Sequence, residues 1–256
     1  MATSGWEQRP TTKNLSQVSW RQRRRLMSRL YDVIKTAARV TNNAIVMFST
    51  GKDSVVTLDL CAKYFKNFQI CFMYYVKGLA FQEKTLAWYE NKFGKEILRI
   101  PHFDTSYFLK DGYFTPPDYS VPILKITDCW NYARDHFGID WIISGETVYD
   151  SLQRRAMIRS GGTINTKTKR IHPLAEWKKS DVLKYIKAHH LRTGVEQNKL
   201  GFTTEGLEPL GLAYIKENHP DDFEKMKKVY PLIEAVIKRH EYQRELRSQK
   251  NPAVTD

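Results

Sequence analysis

Cysteine is scarce: the 256-residue chain holds three, Cys61, Cys71 and Cys129. No two stand close in sequence, which argues against a disulfide framework and against a zinc or iron-sulfur site built from cysteines. The expected compartment is a reducing cytoplasm. No apolar run approaches the roughly 20 residues of a membrane-spanning helix, and the opening stretch MATSGWEQRPTTKN has no apolar core of the signal-peptide kind, so no membrane partner is expected. Internal repeats and low-complexity tracts are lacking as well. Acid is in short supply, with 28 Asp and Glu against 41 Lys and Arg and a net charge of +13. That excess fits an anionic partner: a nucleotide, a nucleic acid or an acidic protein.

Apolar residues make up 41% of the chain and aromatics 12%, enough for a proper core. Residues 1–16 are polar and expected to be flexible. Residues 17–40 read as a helix with an apolar stripe of Leu26, Leu30, Val33 and Ile34 and an arginine-rich opposite side, Arg21 to Arg29. Strands are expected at 44–49, 68–76, 96–100, 139–144 and 171–174, and helices at 53–66, 81–93, 125–137 and 151–158. Residues 101–124, rich in aromatics and proline, read as a long ordered loop, and 160–169 as a hairpin or a mobile loop. Ser180 is the expected N-cap of a helix over 181–189. Residues 207–218 and 221–246 read as helices. Alternating strands and helices imply a doubly wound, mostly parallel α/β sheet, with an α/β domain over 17–190 and a helical extension over 191–256.

The most informative segment is Ser49-Thr50-Gly51-Lys52-Asp53-Ser54, between the apolar runs Ala44–Phe48 and Val55–Leu60. Strand, tight turn and helix in that order aim backbone N–H groups and a positive helix end at one spot. Gly51 allows close backbone approach, Ser49, Thr50 and Ser54 supply hydroxyls, and Lys52 adds a full charge. This is a cradle for phosphate, although not the common G-x-x-x-x-G-K-[ST] loop. A second motif follows Trp141–Ser144: Gly145, then Asp150-Ser151, then Arg154-Arg155. Its glycine would let backbone lie against a nucleotide, and its arginines can clamp phosphate or sulfate with paired donors. Asp150 can equally cap a helix and pair with Arg154 at i,i+4 spacing. Both turns leave strand C-terminal ends, so the two motifs are expected at one site. The third motif is His172-Pro173-Leu174, Trp177 and Asp181-Val182 to Tyr185-Ile186. Trp177 and Tyr185 read as core residues.

The first motif resembles the PP-loop, SGGKDS, of the adenine nucleotide alpha hydrolase group, with Thr50 in place of a glycine. The second and third resemble stretches of the phosphoadenosine phosphosulfate (PAPS) reductase-like branch, in the same order over about residues 40–190. The resemblance implies a five-stranded sheet with an adenine nucleotide, ATP or PAPS/APS, at its C-terminal edge together with magnesium. It also implies Ser49, Thr50, Gly51, Lys52, Asp53, Ser54, Gly78, Gly145, Asp150 and Ser151 as binding residues, and Lys52, Asp53, Arg154 and Arg155 as the catalytic set. Two departures stand out. No cysteine follows Cys129, so the C-terminal nucleophile of the sulfonucleotide reductases is missing, and the usual D-T-G…P-E-T segment is replaced by Tyr74–Glu83, where only Gly78 and Glu83 echo it. What remains resembles the phage and mobile-element subset. The expected activity is attack on an ATP α-phosphate with release of pyrophosphate, in nucleic-acid or sulfur metabolism. His102 and His172 are the candidate bases and Cys129 the candidate reactive thiol. A nucleotide-dependent module that binds DNA or RNA through its basic N-terminal helix, or a partner or second copy through its C-terminal helices, is the alternative.

Overall fold

A computed structural model describes residues 30–195 and 207–250; residues 1–16 and the arginine-rich stretch Arg21 to Arg29, expected as flexible chain and as helix, lie outside the described residues. In chain order the elements are α1 (Asp32–Val40), β1 (Asn43–Phe48), α2 (Lys52–Tyr64), β2 (Asn67–Tyr74), α3 (Ala80–Phe93), β3 (Ile97–Pro101), α4 (Asp104–Asp111) and α5 (Ile126–Phe137). There follow β4 (Ile142–Ile143), α6 (Leu152–Gly161), β5 (Ile164–Asn165), β6 (Arg170–Ile171), α7 (Lys179–Ala188), α8 (Pro209–Asn218), α9 (Pro220–Val229) and α10 (Ile233–Lys250).

The sheet has the order β3-β2-β1-β4-β6-β5. All pairs are parallel except β5–β6. Six strands rather than five result because residues 160–169, left between hairpin and loop, close as the β5–β6 hairpin, with Asn165 Oδ1 accepting from the Lys167 and Thr168 amides. Both faces of the sheet are covered, as a parallel sheet requires. Val46 and Phe48 of β1 face a core shared with α1, α2, α3 and α7. Ile45, one pleat over, packs with Cys71, Ile142 and the α5 residues Cys129 and Ala133. Chain order runs outward from β1 through β2 to β3 and then returns to β4 on the other side. The crevice between β1 and β4 is therefore the switch point, where parallel α/β sheets hold ligands beyond the strand C-terminal ends.

Three expectations are corrected. Residues 101–124 are not a loop throughout. Their prolines, apart from Pro101, cluster at 116–122, and the proline-free stretch before them forms α4. Ser180 is not the cap of α7; the helix begins at Lys179, and it is the Asp181 carboxylate that accepts from the Lys178 amide at 3.1 Å. The last predicted helix is broken at Tyr230, because Pro231 cannot continue the ladder. Trp177 and Tyr185 do sit in the core, Trp177 donating to the Leu30 carbonyl and Tyr185 to the buried Asp59 carboxylate.

The C-terminal helices bury a separate cluster, Leu212, Ile215, Phe223, Met226, Tyr230, Ile233 and Ile237, together with Val76, Leu79 and Phe81 from the β2–α3 connection. Asp222 of α9 ties the two parts together. Its buried carboxylate accepts from the Ala80 amide at 2.8 Å and the Phe81 amide at 3.0 Å. Helix α3 carries no side-chain cap of its own, so a carboxylate from another helix satisfies its first free donors.

Candidate phosphate-loop site

Helix α2 opens directly from the turn after β1. Its N-cap, Gly51, is extended and offers no side-chain cap, which leaves the N–H groups of the first turn to point out of the helix end. The turn is held by its own hydroxyls. Ser54 Oγ accepts from the Ser49 amide at 3.1 Å and donates to the Gly51 carbonyl at 2.9 Å, while Ser49 Oγ donates to Ser54 Oγ at 3.1 Å. Thr57 Oγ1 donates to the Asp53 carbonyl. Ser49 and Ser54 thus shape the cradle, and the backbone and Lys52 supply its charge.

Thr50 occupies the left-handed region, φ 61°, and is 3% exposed. A β-branched residue there is strained, by about 1–2 kcal/mol. Thr50→Gly removes that strain against an entropic cost of about 0.5–1 kcal/mol. A net gain in unfolding free energy of about 0.5 kcal/mol is expected, seen as a higher urea midpoint; a lower midpoint would show that the Thr50 side chain holds the turn rather than straining it.

The second motif comes to the same place. A Cβ on Gly145 would lie 2.8 Å from the Asp53 carbonyl carbon and 3.0 Å from Thr57 Oγ1, so the turn after β4 rests on the first turn of α2. Lys52 and Asp53 form an ion pair. Burial pushes the Asp53 carboxyl above the usual range, Lys52 opposes this through its hydrogen bond and charge, Asp150 raises it further and Arg154 lowers it. Asp53, Asp150 and Arg154 therefore share one electrostatic neighbourhood. Asp150 accepts from the Thr147 amide and hydroxyl at 2.8 and 2.9 Å, and pairs with Arg154 at 3.4 Å. Ser151, not Asp150, caps α6, accepting from the Arg154 amide. The two arginines differ. Arg155 Nε donates to the Val148 carbonyl at 2.9 Å and braces the turn, whereas the Arg154 side chain is 52% exposed, with its guanidinium beside Asp150. Gly78, at φ +74°, has its carbonyl bound to Lys225 of α9 at 3.0 Å, which ties it to the C-terminal helices.

A small cleft of about 60 Å³ opens beside the loop, lined by Met47, Phe48, Ser49, Cys71, Met73 and His102. His102 stacks on Tyr75 and Phe103, each at 4.5 Å, and burial lowers its pKa against the opposing charge of Asp104. The other candidate base, His172, is 2% exposed. Its Nδ1 lies 3.0 Å from Glu146 Oε2, which also accepts from Arg170 at 2.7 Å and from Ser144 Oγ at 3.0 Å. Glu146 and Arg170 carry no role in the sequence reading. A signal was present: Arg170 and His172 stand two apart in extended chain, at the start of β6 and just past its end, hence on one side, beside the Ser144-Gly145-Glu146 turn that follows β4. The three thiols are buried. Burial pushes Cys71 up to about 12 and raises Cys61 and Cys129 as well.

Among the described residues, no group of three or more His, Cys, Asp or Glu is placed to hold a metal, and no helix is long and apolar enough to cross a membrane.

No protein-family model matches the chain, and no curated protein matches it. Among solved structures, the U34-tRNA thiolase NcsA from Methanococcus maripaludis, with its 4Fe-4S cluster, aligns at 16% identity over 82% of this chain and 79% of that one, TM-score 0.42. PAPS reductase from Candida auris, in a phosphate complex, aligns at 15% identity over 73% of this chain and 95% of that one, TM-score 0.47. The NH3-dependent NAD synthetase from Campylobacter jejuni aligns at 13% identity over 86% and 95%, TM-score 0.46. The fold and site described above define an α/β protein with a glycine turn and an uncapped helix N-terminus at its sheet switch point.

Proposed function

We propose that the chain binds an adenine nucleotide at the 49–54 loop and acts as an ATP pyrophosphatase or adenylyl transferase. One observation carries this reading: the uncapped N-terminus of α2, with Lys52 beside it, meets the Gly145 turn, with Arg154 beside it, at the switch point. Backbone N–H groups of the α2 turn and the Lys52 ammonium hold the β- and γ-phosphates. Gly145, lacking a Cβ, keeps the second turn low enough to reach the same ligand. An acceptor oxygen attacks the α-phosphorus, the bond to the bridging oxygen breaks, and that electron pair leaves with pyrophosphate. Lys52 and Arg154 face the charge that develops as this happens. Magnesium, when bound on the phosphates, supplies further charge neutralisation, with Asp53 and Asp150 as the nearest carboxylates.

A second reading, nucleotide-dependent binding with little turnover, is favoured by the burial of His172 under Glu146, which removes one of the two candidate bases from the reacting atoms. The discriminating experiment incubates the protein with magnesium and α-labelled ATP, with and without DNA or tRNA, and resolves AMP, ADP and pyrophosphate. AMP with pyrophosphate is the expected product pair. Bound ATP without turnover moves the assignment to the binding module, and ADP with phosphate overturns attack at the α-phosphorus.

A further inference from the structure

The segment Leu191–Val195 leaves α7 and passes beside the phosphate loop. Leu191 is buried in the core of the sheet, and Val195 packs against the core of the C-terminal helices. Between them the Gly194 amide donates to the Thr50 carbonyl at 3.0 Å. The strap is pinned on its other side as well: Tyr89 of α3 donates its hydroxyl to the Arg192 carbonyl at 2.5 Å, and the Arg192 guanidinium lies 5.1 Å from the Trp88 ring centre. The one residue of the loop that a threonine holds in left-handed backbone is thus the residue whose carbonyl the strap grips.

We infer that the strap is a positioning device, which couples docking of the C-terminal helices to the shape of the phosphate loop through the Gly194–Thr50 bond. The inference rests on the reading of residues 49–54 as a phosphate cradle. A threonine in left-handed backbone tends to leave it, and a fixed donor on its carbonyl opposes that tendency. A strap with one end in each core transmits any loosening of the C-terminal helices to the loop. Coupling of this kind is reciprocal, so filling the loop also firms the helices.

The test compares wild type, Gly194→Pro, which deletes the donor, Thr50→Gly, which deletes the strain, and the double variant. Amide hydrogen exchange over residues 48–56 is measured together with affinity for inorganic pyrophosphate and magnesium. Gly194→Pro is expected to speed exchange in that peptide and to weaken pyrophosphate binding about tenfold, within the usual range of coupling between sites. The double variant is expected to match Thr50→Gly alone, because a glycine holds the turn without help. Met226→Ala, in the C-terminal core and remote from the loop, is expected to speed the same exchange, and pyrophosphate is expected to slow exchange in α9. Unchanged exchange in Gly194→Pro, or a double variant as impaired as Gly194→Pro, would overturn the coupling. A wild-type loop that binds neither pyrophosphate nor ATP would instead defeat the phosphate reading, while the exchange rates still decide the strap.

Discussion

Lys52→Ala is expected to weaken binding of magnesium-ATP by about a hundredfold or more, with the fold intact. Hydrogen bonds to a charged group contribute about 1.5–3 kcal/mol each, and about 2.7 kcal/mol corresponds to a hundredfold change in affinity. Lys52 also neutralises Asp53, whose carboxylate would otherwise stand alone against a polyanion. That second role is separable. If neutralising Asp53 were all that Lys52 did, Lys52→Ala with Asp53→Asn would bind nearly as well as wild type. If Lys52 holds phosphate directly, the double variant stays weak, and this is the expected result. Calorimetric titration of the four proteins decides between them, and unchanged ATP affinity in Lys52→Ala would remove the loop from the site.

The strand, turn and helix around residues 49–54 were legible because their signals are local. A run of β-branched and apolar residues ends at Phe48, Gly51 marks the turn, and an apolar helical pattern resumes at Val55. A parallel sheet follows from the same alternation, with both turns leaving strand C-terminal ends, which is why the Gly145 turn was expected beside the loop, where a missing Cβ now accounts for the contact with Asp53. The break at Tyr230 was legible too, from Pro231, yet helical periodicity on both sides masked it. Other features depend on partners far along the chain. Nothing near Ala80 shows that its amide is satisfied by Asp222, and nothing near Thr50 shows that its carbonyl meets Gly194. Arg170 illustrates the same gap. It stands in a basic stretch, Lys167 to Arg170, and partners elsewhere in the chain explain its burial: Glu146 on the turn after β4, the Met157 sulfur, and the Trp130 ring, 4.3 Å away.

Glu146→Ala should destabilise the protein by about 3–5 kcal/mol, because it strips the counter-charge from a buried cation. Arg170 is 8% exposed, and its Nε has no hydrogen-bond partner among the described residues, so its guanidinium has little to fall back on. Glu146→Gln keeps the shape and one acceptor oxygen and should lose less. The pH dependence has a definite sign. Burial alone would raise the Glu146 pKa, but the hydrogen bond from His172 and the charge of Arg170 outweigh it and hold the carboxyl at about 2. A glutamate in the unfolded chain titrates near about 4.3. The stabilisation is therefore complete above that value and is lost as the pH falls toward 2. Urea unfolding of wild type should weaken more steeply than that of Glu146→Gln between about pH 5 and pH 2; parallel curves would show that the cluster is not ionised as described. Because Glu146 follows the glycine that rests on Asp53, Glu146→Ala should also lower ATP affinity well below its unfolding temperature. The residue that pairs with the buried cation and the glycine that rests on Asp53 are neighbours on one turn.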